Sequence, residues 1–235
     1  MYDYAIIIPC FNEAQGIQNT HAQLCEFFAQ PEWRGCSVAL VYVNDGSTDT
    51  TDATLTELSG ASEHAAVAVF THSYPVNRGK GAAIREGVQQ VDASHYAFID
   101  ADLAFPLSTF AQMYALRDSA DLIAGQRTEL RSARRMRWAI SRVIQSLTSW
   151  LLHLPVRDTQ CGIKQFSRRV VTTLFPQLTE ERFAFDVELI ARVRQQEWPI
   201  ATLPVPFRYH SHSSVRFVDG LRFLVSLLRL SRHSH

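Results

Sequence analysis

Tyr96-Ala97-Phe98-Ile99-Asp100-Ala101-Asp102 is the stretch on which the reading of this chain turns. A short apolar and aromatic run leads straight into two aspartates separated by one alanine. The run reads as a buried strand, and the Asp-Ala-Asp turn as its carboxyl end, where an open α/β sheet places its chemistry. Paired carboxylates beside an apolar wall repel each other and resist desolvation unless a divalent cation neutralises them. The chemistry such a turn serves is therefore a metal ion carrying a phosphate.

Working outward, short apolar, partly β-branched runs at 4–8, 38–43, 66–70 and 122–124 alternate with three-to-four spacing at 17–28, 50–58 and 81–91. Strand alternating with helix predicts an α/β fold with a mostly parallel sheet covered on both faces. Beyond residue 126 the pattern loosens. It predicts an amphipathic helix over 137–154 stopped by Pro155, then a loop, a helix over 185–195, a strand over 200–206 and a terminal helix. No internal repeat or low-complexity linker interrupts the chain.

At 235 residues with 46% hydrophobic content, the chain suits one large domain. Cys10, Cys25, Cys36 and Cys161 form no CxxC pair, so neither a zinc site nor a disulfide framework is signalled, and a reducing compartment is expected. No basic-then-apolar leader opens the sequence, and no apolar run has the length of a membrane span, which points to a soluble or peripheral protein on the cytosolic side. The net charge of zero hides an asymmetry: residues 1–126 hold 5 Lys/Arg against 15 Asp/Glu, and residues 127–235 hold 18 against 8. The second half is expected to meet anions, although any single Arg also reads as a solvated helix face.

Each strand end in the first half carries polar residues. Ile8-Pro9-Cys10-Phe11-Asn12-Glu13 follows the first strand. Asn44-Asp45-Gly46-Ser47-Thr48-Asp49 follows the second and, by itself, reads as a turn with Ser47, Thr48 or Asp49 as helix cap. Asn77-Arg78-Gly79-Lys80-Gly81 follows the third and opens a helix; its glycines permit close backbone approach, and Arg78 and Lys80 put positive charge where a helix N-terminus favours phosphate. The spacing is not that of a Walker P-loop, and GxGxxG is absent after the first strand. Four such loops on one sheet edge would make a nucleotide-plus-metal site.

In this order and spacing, the four motifs resemble the GT-A glycosyltransferases of family 2. Downstream, Arg157-Asp158-Thr159-Gln160-Cys161-Gly162-Ile163-Lys164 and Arg182-Phe183-Ala184-Phe185-Asp186-Val187-Glu188-Leu189 resemble the dolichyl-phosphate glucosyltransferase branch, with the dolichyl-phosphate mannose synthases as cousins. The resemblance implies an inverting, metal-dependent hexosyltransferase using a nucleotide-diphosphate sugar, with glucose from UDP-glucose passed to a polyprenyl phosphate. It implies a nucleotide-sugar half at 1–126 and an acceptor half at 127–235 within one GT-A domain. Pro9, Asn12 and Glu13 would line the nucleotide pocket, Asp45 would bond the base or ribose, and Arg78, Gly79 and Lys80 would pack against the nucleotide. Asp100, Ala101 and Asp102 would contact the donor, with Asp100 and Asp102 holding Mg2+ or Mn2+. Arg127 would clamp phosphate, and Gln160 would contact donor or acceptor.

Asp158 has two readings beside that of a plain turn residue: general base for a hydroxyl acceptor, or positioning group for a phosphate acceptor that is already anionic. Cys161 reads as a packed thiol, and at most one of Asp186 and Glu188 is expected to enter the site. Trp138, Trp150 and the arginines around them suit either a core helix or a helix on a membrane surface, where Arg131, Arg134 or Arg135 would meet the acceptor phosphate. The terminal helix reads similarly. His210 or His212 reads as a late metal ligand or as part of a solvated loop. No nucleic-acid partner is implied; interfacial helices or a membrane-anchored partner are expected to take the place of the spanning anchors found on some relatives. A hydroxyl acceptor in glycan assembly and a catalytically silent nucleotide-sugar-binding subunit are the alternatives.

Overall fold

A computed structural model of the chain describes residues 1–60, 67–128, 154–182 and 184–206. The elements run β1 (Tyr2–Cys10), α1 (Ile17–Phe28), β2 (Val38–Asp45), α2 (Thr51–Gly60), β3 (Val67–Tyr74), α3 (Lys80–Val88), β4 (Ala93–Ile99), α4 (Ser108–Ala115), β5 (Leu122–Arg127), β6 (Ile163–Ser167), α5 (Arg168–Leu174), α6 (Phe185–Gln195) and β7 (Ile200–Val205). They build a seven-stranded sheet in the order β3-β2-β1-β4-β6-β5-β7. All pairings are parallel except those of β6, which runs antiparallel to both β4 and β5.

The central strands are apolar on both sides because both faces are covered; all eight residues of β2 are buried. One core joins Ile84 of α3, Val170 of α5 and Phe185 of α6 to Phe98 and Phe166 of the sheet. The other joins Leu24 and Phe28 of α1 and Phe110 of α4 to Tyr4 and Ile6. From β1 the chain winds outward through β2 and β3, then returns to lay β4 on the opposite flank of β1. The β1–β4 boundary is thus a topological switch point, the place on the carboxyl edge where open α/β sheets bind their ligands.

The strand expected at 66–70 extends over 67–74, and the helix expected over 81–91 ends at Val88. The loop expected after residue 154 instead contains β6 and α5. Lys164 and Gln165 concealed β6, because both are fully buried polar residues in a strand with no apolar alternation. Gln165 is accommodated by two bonds: Tyr4 Oη donates to its Oε1 at 2.7 Å, and its Nε2 donates to the Met113 carbonyl at 3.0 Å. The expected helix over 137–154 lies outside the described residues except for buried Leu154, and the terminal helix lies wholly outside them. Among the described residues, no helix is long and apolar enough to cross a membrane.

Gln165→Leu strands the Tyr4 hydroxyl in the core and leaves the Met113 carbonyl with the Leu116 N–H alone, so urea unfolding should show a loss of about 1–3 kcal/mol. Unchanged stability would mean that these bonds do not fasten β6 into the sheet.

Candidate active site

The loops after β1 and β2 are sewn together. Asn12, at φ 58°, turns its N–H to Ser47 Oγ at 2.9 Å while its own Oδ1 accepts from Thr48 N at 2.8 Å. Glu13 N donates to Thr51 Oγ1 at 2.9 Å, and Asp49 accepts from Ala14 N at 3.3 Å and from Thr51 N at 3.0 Å. Of the three cap candidates, Asp49 is the one that takes the α2 N–H. Pro9 lies in β1 opposite Val43, beneath this stitched pair of turns.

Two of the expected nucleotide contacts already have partners within the protein. Asp45 is 3% exposed, and its carboxylate accepts from Arg78 N at 2.7 Å, Gly79 N at 2.8 Å and Asn77 Nδ2 at 3.0 Å. It ties down the β3–α3 turn rather than holding an oxygen ready for a base or ribose. Arg78 is likewise engaged, with Glu86 at 2.8 Å and Glu181 at 2.9 Å, so its guanidinium locks the turn to the 179–182 segment instead of standing open to phosphate. Gly79 is indispensable to that closure: its φ is 106°, and a Cβ would stand 2.6 Å from Arg182 Cγ.

Asp100 and Asp102 emerge at the switch point as the strand reading required. The Ala101 carbonyl between them accepts from Thr20 Oγ1 of α1 at 2.7 Å, and Asp102 Oδ1 accepts from Ala104 N at 3.1 Å. Asp100 is ion-paired with the Lys80 ammonium, and its backbone N–H reaches the Gly162 carbonyl at 3.2 Å. Gly162 packs so closely on the Asp100 carboxylate that any side chain there would overlap it. Glu13 completes the acidic group: burial, then the fields of Asp102, Asp100 and Asp49, push its carboxyl up to about 7.

Arg127, at the end of β5, grips Asp158 through Nε at 2.6 Å and Nη2 at 2.8 Å, and its backbone N–H reaches the same carboxylate at 3.3 Å. Burial works against the guanidinium, but Asp158 outweighs it and holds the Arg127 pKa above its ordinary value. Gln160 is half-buried in the following turn. Cys161 is buried, and burial pushes its thiol up to about 12, which makes it a packing group rather than a nucleophile. Neither α6 acid projects as an open group. Asp186 takes Lys164 Nζ at 2.6 Å, and fully buried Glu188 accepts from Thr179 N, Glu180 N and Arg192.

Thr20 and Glu181 shape the site without any spacing signal to announce them, and Asn77 and Lys164 were visible only as parts of longer motifs. Arg131, Arg134, Arg135, His210 and His212 lie outside the described residues. Among the described residues, no three His, Cys, Asp or Glu side chains converge as a ready metal cage. The Asp100 and Asp102 oxygens nonetheless fit a hard divalent cation of the Mg2+ or Mn2+ type, which takes few protein ligands when phosphate supplies the others.

The model of Glycosyl transferase family 2 matches residues 5–175. A dolichyl-phosphate beta-glucosyltransferase of Drosophila melanogaster is 30% identical over 86% of this chain and 66% of its own length. One from Trichomonas vaginalis is 25% identical, covering 97% and 72%. Among solved structures, glucosyl-3-phosphoglycerate synthase from Mycobacterium tuberculosis, in complex with Mn2+, UDP-glucose and phosphoglyceric acid, superposes with a TM-score of 0.71 at 19% identity, over 98% of this chain and 80% of that one. S. aureus TarS with UDP gives 0.65 at 16% identity, over 99% and 65%. With a mostly parallel sheet, an Asp-Ala-Asp turn at its switch point and these relatives, the chain belongs to glycosyl transferase family 2: it is a GT-A glycosyltransferase allied to the dolichyl-phosphate glucosyltransferases.

Proposed function

We propose that the protein transfers glucose from UDP-glucose to a polyprenyl phosphate, inverting the anomeric carbon, at the cytoplasmic face of a membrane. The observation that carries the choice of acceptor is the Arg127–Asp158 pair. Both Asp158 oxygens accept guanidinium N–H groups of Arg127, so the carboxylate is engaged in a largely buried ion pair. That suits a positioning group and not a general base. A phosphate acceptor is already an anion and needs no base, whereas a hydroxyl does. The dolichyl-phosphate relatives support the same choice.

In this reading, the stitched 9–13 and 45–49 turns and the 77–81 turn seat the nucleoside, with Asp45 acting through the turn it anchors. Asp100 and Asp102 hold the diphosphate end through Mg2+ or Mn2+, whose chemistry is to take up charge on the departing nucleoside diphosphate. Arg127, oriented by Asp158, and Gln160 face the sugar and the incoming phosphate oxygen. That oxygen attacks the anomeric carbon in line as the bond to the diphosphate breaks. Arg131, Arg134 and Arg135 meet the lipid phosphate, and the amphipathic stretches of the 127–235 half lie on the membrane surface.

The direct test is turnover of UDP-glucose with Mg2+ or Mn2+ and a short polyprenyl phosphate in detergent. Glucosylated lipid phosphate is expected, and Asp102→Ala should lower its formation by about 100-fold or more; product only with a sugar hydroxyl would overturn the acceptor assignment. Asp158→Asn and Arg127→Ala should each depress kcat, with the double variant little worse than either alone because the two act as one unit. Fully additive losses would separate their roles. Glu13 supplies a pH signature. A carboxyl raised above its unfolded value stabilises the fold at low pH and gives up that contribution as pH rises through about 7. Glu13→Gln should therefore raise the Tm of metal-free protein more at pH 8 than at pH 5, and an equal effect at both would discount the acidic cluster.

A further inference from the structure

Four charged groups gather around Phe98, two residues ahead of the Asp-Ala-Asp turn. Lys164 stands opposite Phe98 in the β4–β6 register, with Nζ 5.3 Å from the ring centroid. That ammonium is fully buried and donates to Asp186 at 2.6 Å and to the Cys161 carbonyl at 2.8 Å. Lys80 Nζ lies 4.8 Å from the same centroid and pairs with Asp100. Asp186 sits in the first turn of α6, which is pressed against the first turn of α3. A Cβ on Gly81 would stand 2.5 Å from Phe185 Cβ, so glycine at 81 is what lets the two helix starts, and with them Lys80 and Asp186, come together.

Asp186 therefore serves two ammoniums. It neutralises Lys164 by direct contact, and the Lys80 ammonium lies against the same Phe98 ring as the ammonium that Asp186 holds, close enough to feel its charge in this buried setting. The two carboxylates differ in access: the Asp100 side chain is 41% exposed and that of Asp186 is 6% exposed. An incoming cation reaches Asp100 but not Asp186.

We propose that Asp186 is a positioning residue for the carboxylate turn: it is the second counter-ion that lets Lys80 release Asp100 when a divalent cation and a nucleoside diphosphate bind. Without it, Lys80 has Asp100 as its one close carboxylate among these four groups and competes with the cation for the Asp100 oxygens. The inference rests on the reading of Asp100 and Asp102 as the metal and diphosphate turn.

The test is Mn2+ binding to the full chain in the presence of UDP, followed by the electron paramagnetic resonance signal of free Mn2+, with no turnover involved. Combining Lys164→Met with Asp186→Leu removes the buried pair as a unit and should leave a folded protein. Its Mn2+ affinity is expected to fall about tenfold, the scale on which groups behind metal ligands act. Adding Lys80→Met should restore binding, because the competing ammonium is gone; a purely structural role for Asp186 predicts no such rescue. If circular dichroism shows the double variant unfolded, Asp186→Asn with and without Lys80→Met gives the same comparison. Parental affinity in a folded Asp186 variant, or a loss that Lys80→Met leaves unrepaired, overturns the proposal. Asp102→Ala tests the underlying reading separately: undiminished Mn2+ binding there removes the metal turn itself, whereas loss there with no effect at position 186 removes only the positioning role.

Discussion

Coverage of the sheet on both faces is the constraint from which the rest follows. With helices packed on each side of β1, β2 and β4, polar chemistry has no outlet except the carboxyl edge, and the reversal of winding between β1 and β4 decides where on that edge it opens. The Glu13 turn and the Asp100–Asp102 turn are consequently neighbours, and burial first, then their mutual repulsion, raises the Glu13 carboxyl. Thr20 and Gly162 hold the acidic turn from opposite sides, one by a hydrogen bond to its backbone and one by leaving room for its carboxylate.

Charge in this molecule is settled mostly in pairs. The basic second half foreshadowed a surface for anions, yet within the described residues Arg127 binds Asp158, Lys164 binds Asp186, Arg168 binds Asp92 and Arg192 binds Glu188. These cations stabilise and orient neighbouring carboxylates. The acidic edge is correspondingly less acidic than its sequence suggests, because Lys80 reaches it from α3.

The strands and the four polar turns were legible because apolar runs that end in Asn, Asp and Gly have few other uses. What the residues concealed was direction. Asp45 and Arg78 stand where outward-facing ligands were expected, but buried Asp45 and half-buried Arg78 each fasten a loop, a difference that depends on partners about a hundred positions away. β6 was concealed for the opposite reason: buried Lys164 and Gln165 imitate a surface segment until Asp186 and Tyr4 are seen to receive them. Spacing gave no hint of the separate duties of Asp186, which takes Lys164, and Glu188, which takes the 179–180 backbone and Arg192.

The placement of β6 between β4 and β5 has a consequence for how the chain is made. When Ile99 leaves the ribosome, the flank of β4 that will receive β6 has no partner, and its partner Ile163 follows some sixty residues later. At about 5–20 residues per second that flank stays open for several seconds, during which it presents an unpaired strand edge beside a freshly exposed apolar core. Glu181 and Asp186 emerge later still, so the nascent domain has its acidic turns before it has the groups that brace them. Chaperone demand should therefore peak between the emergence of β4 and that of α6.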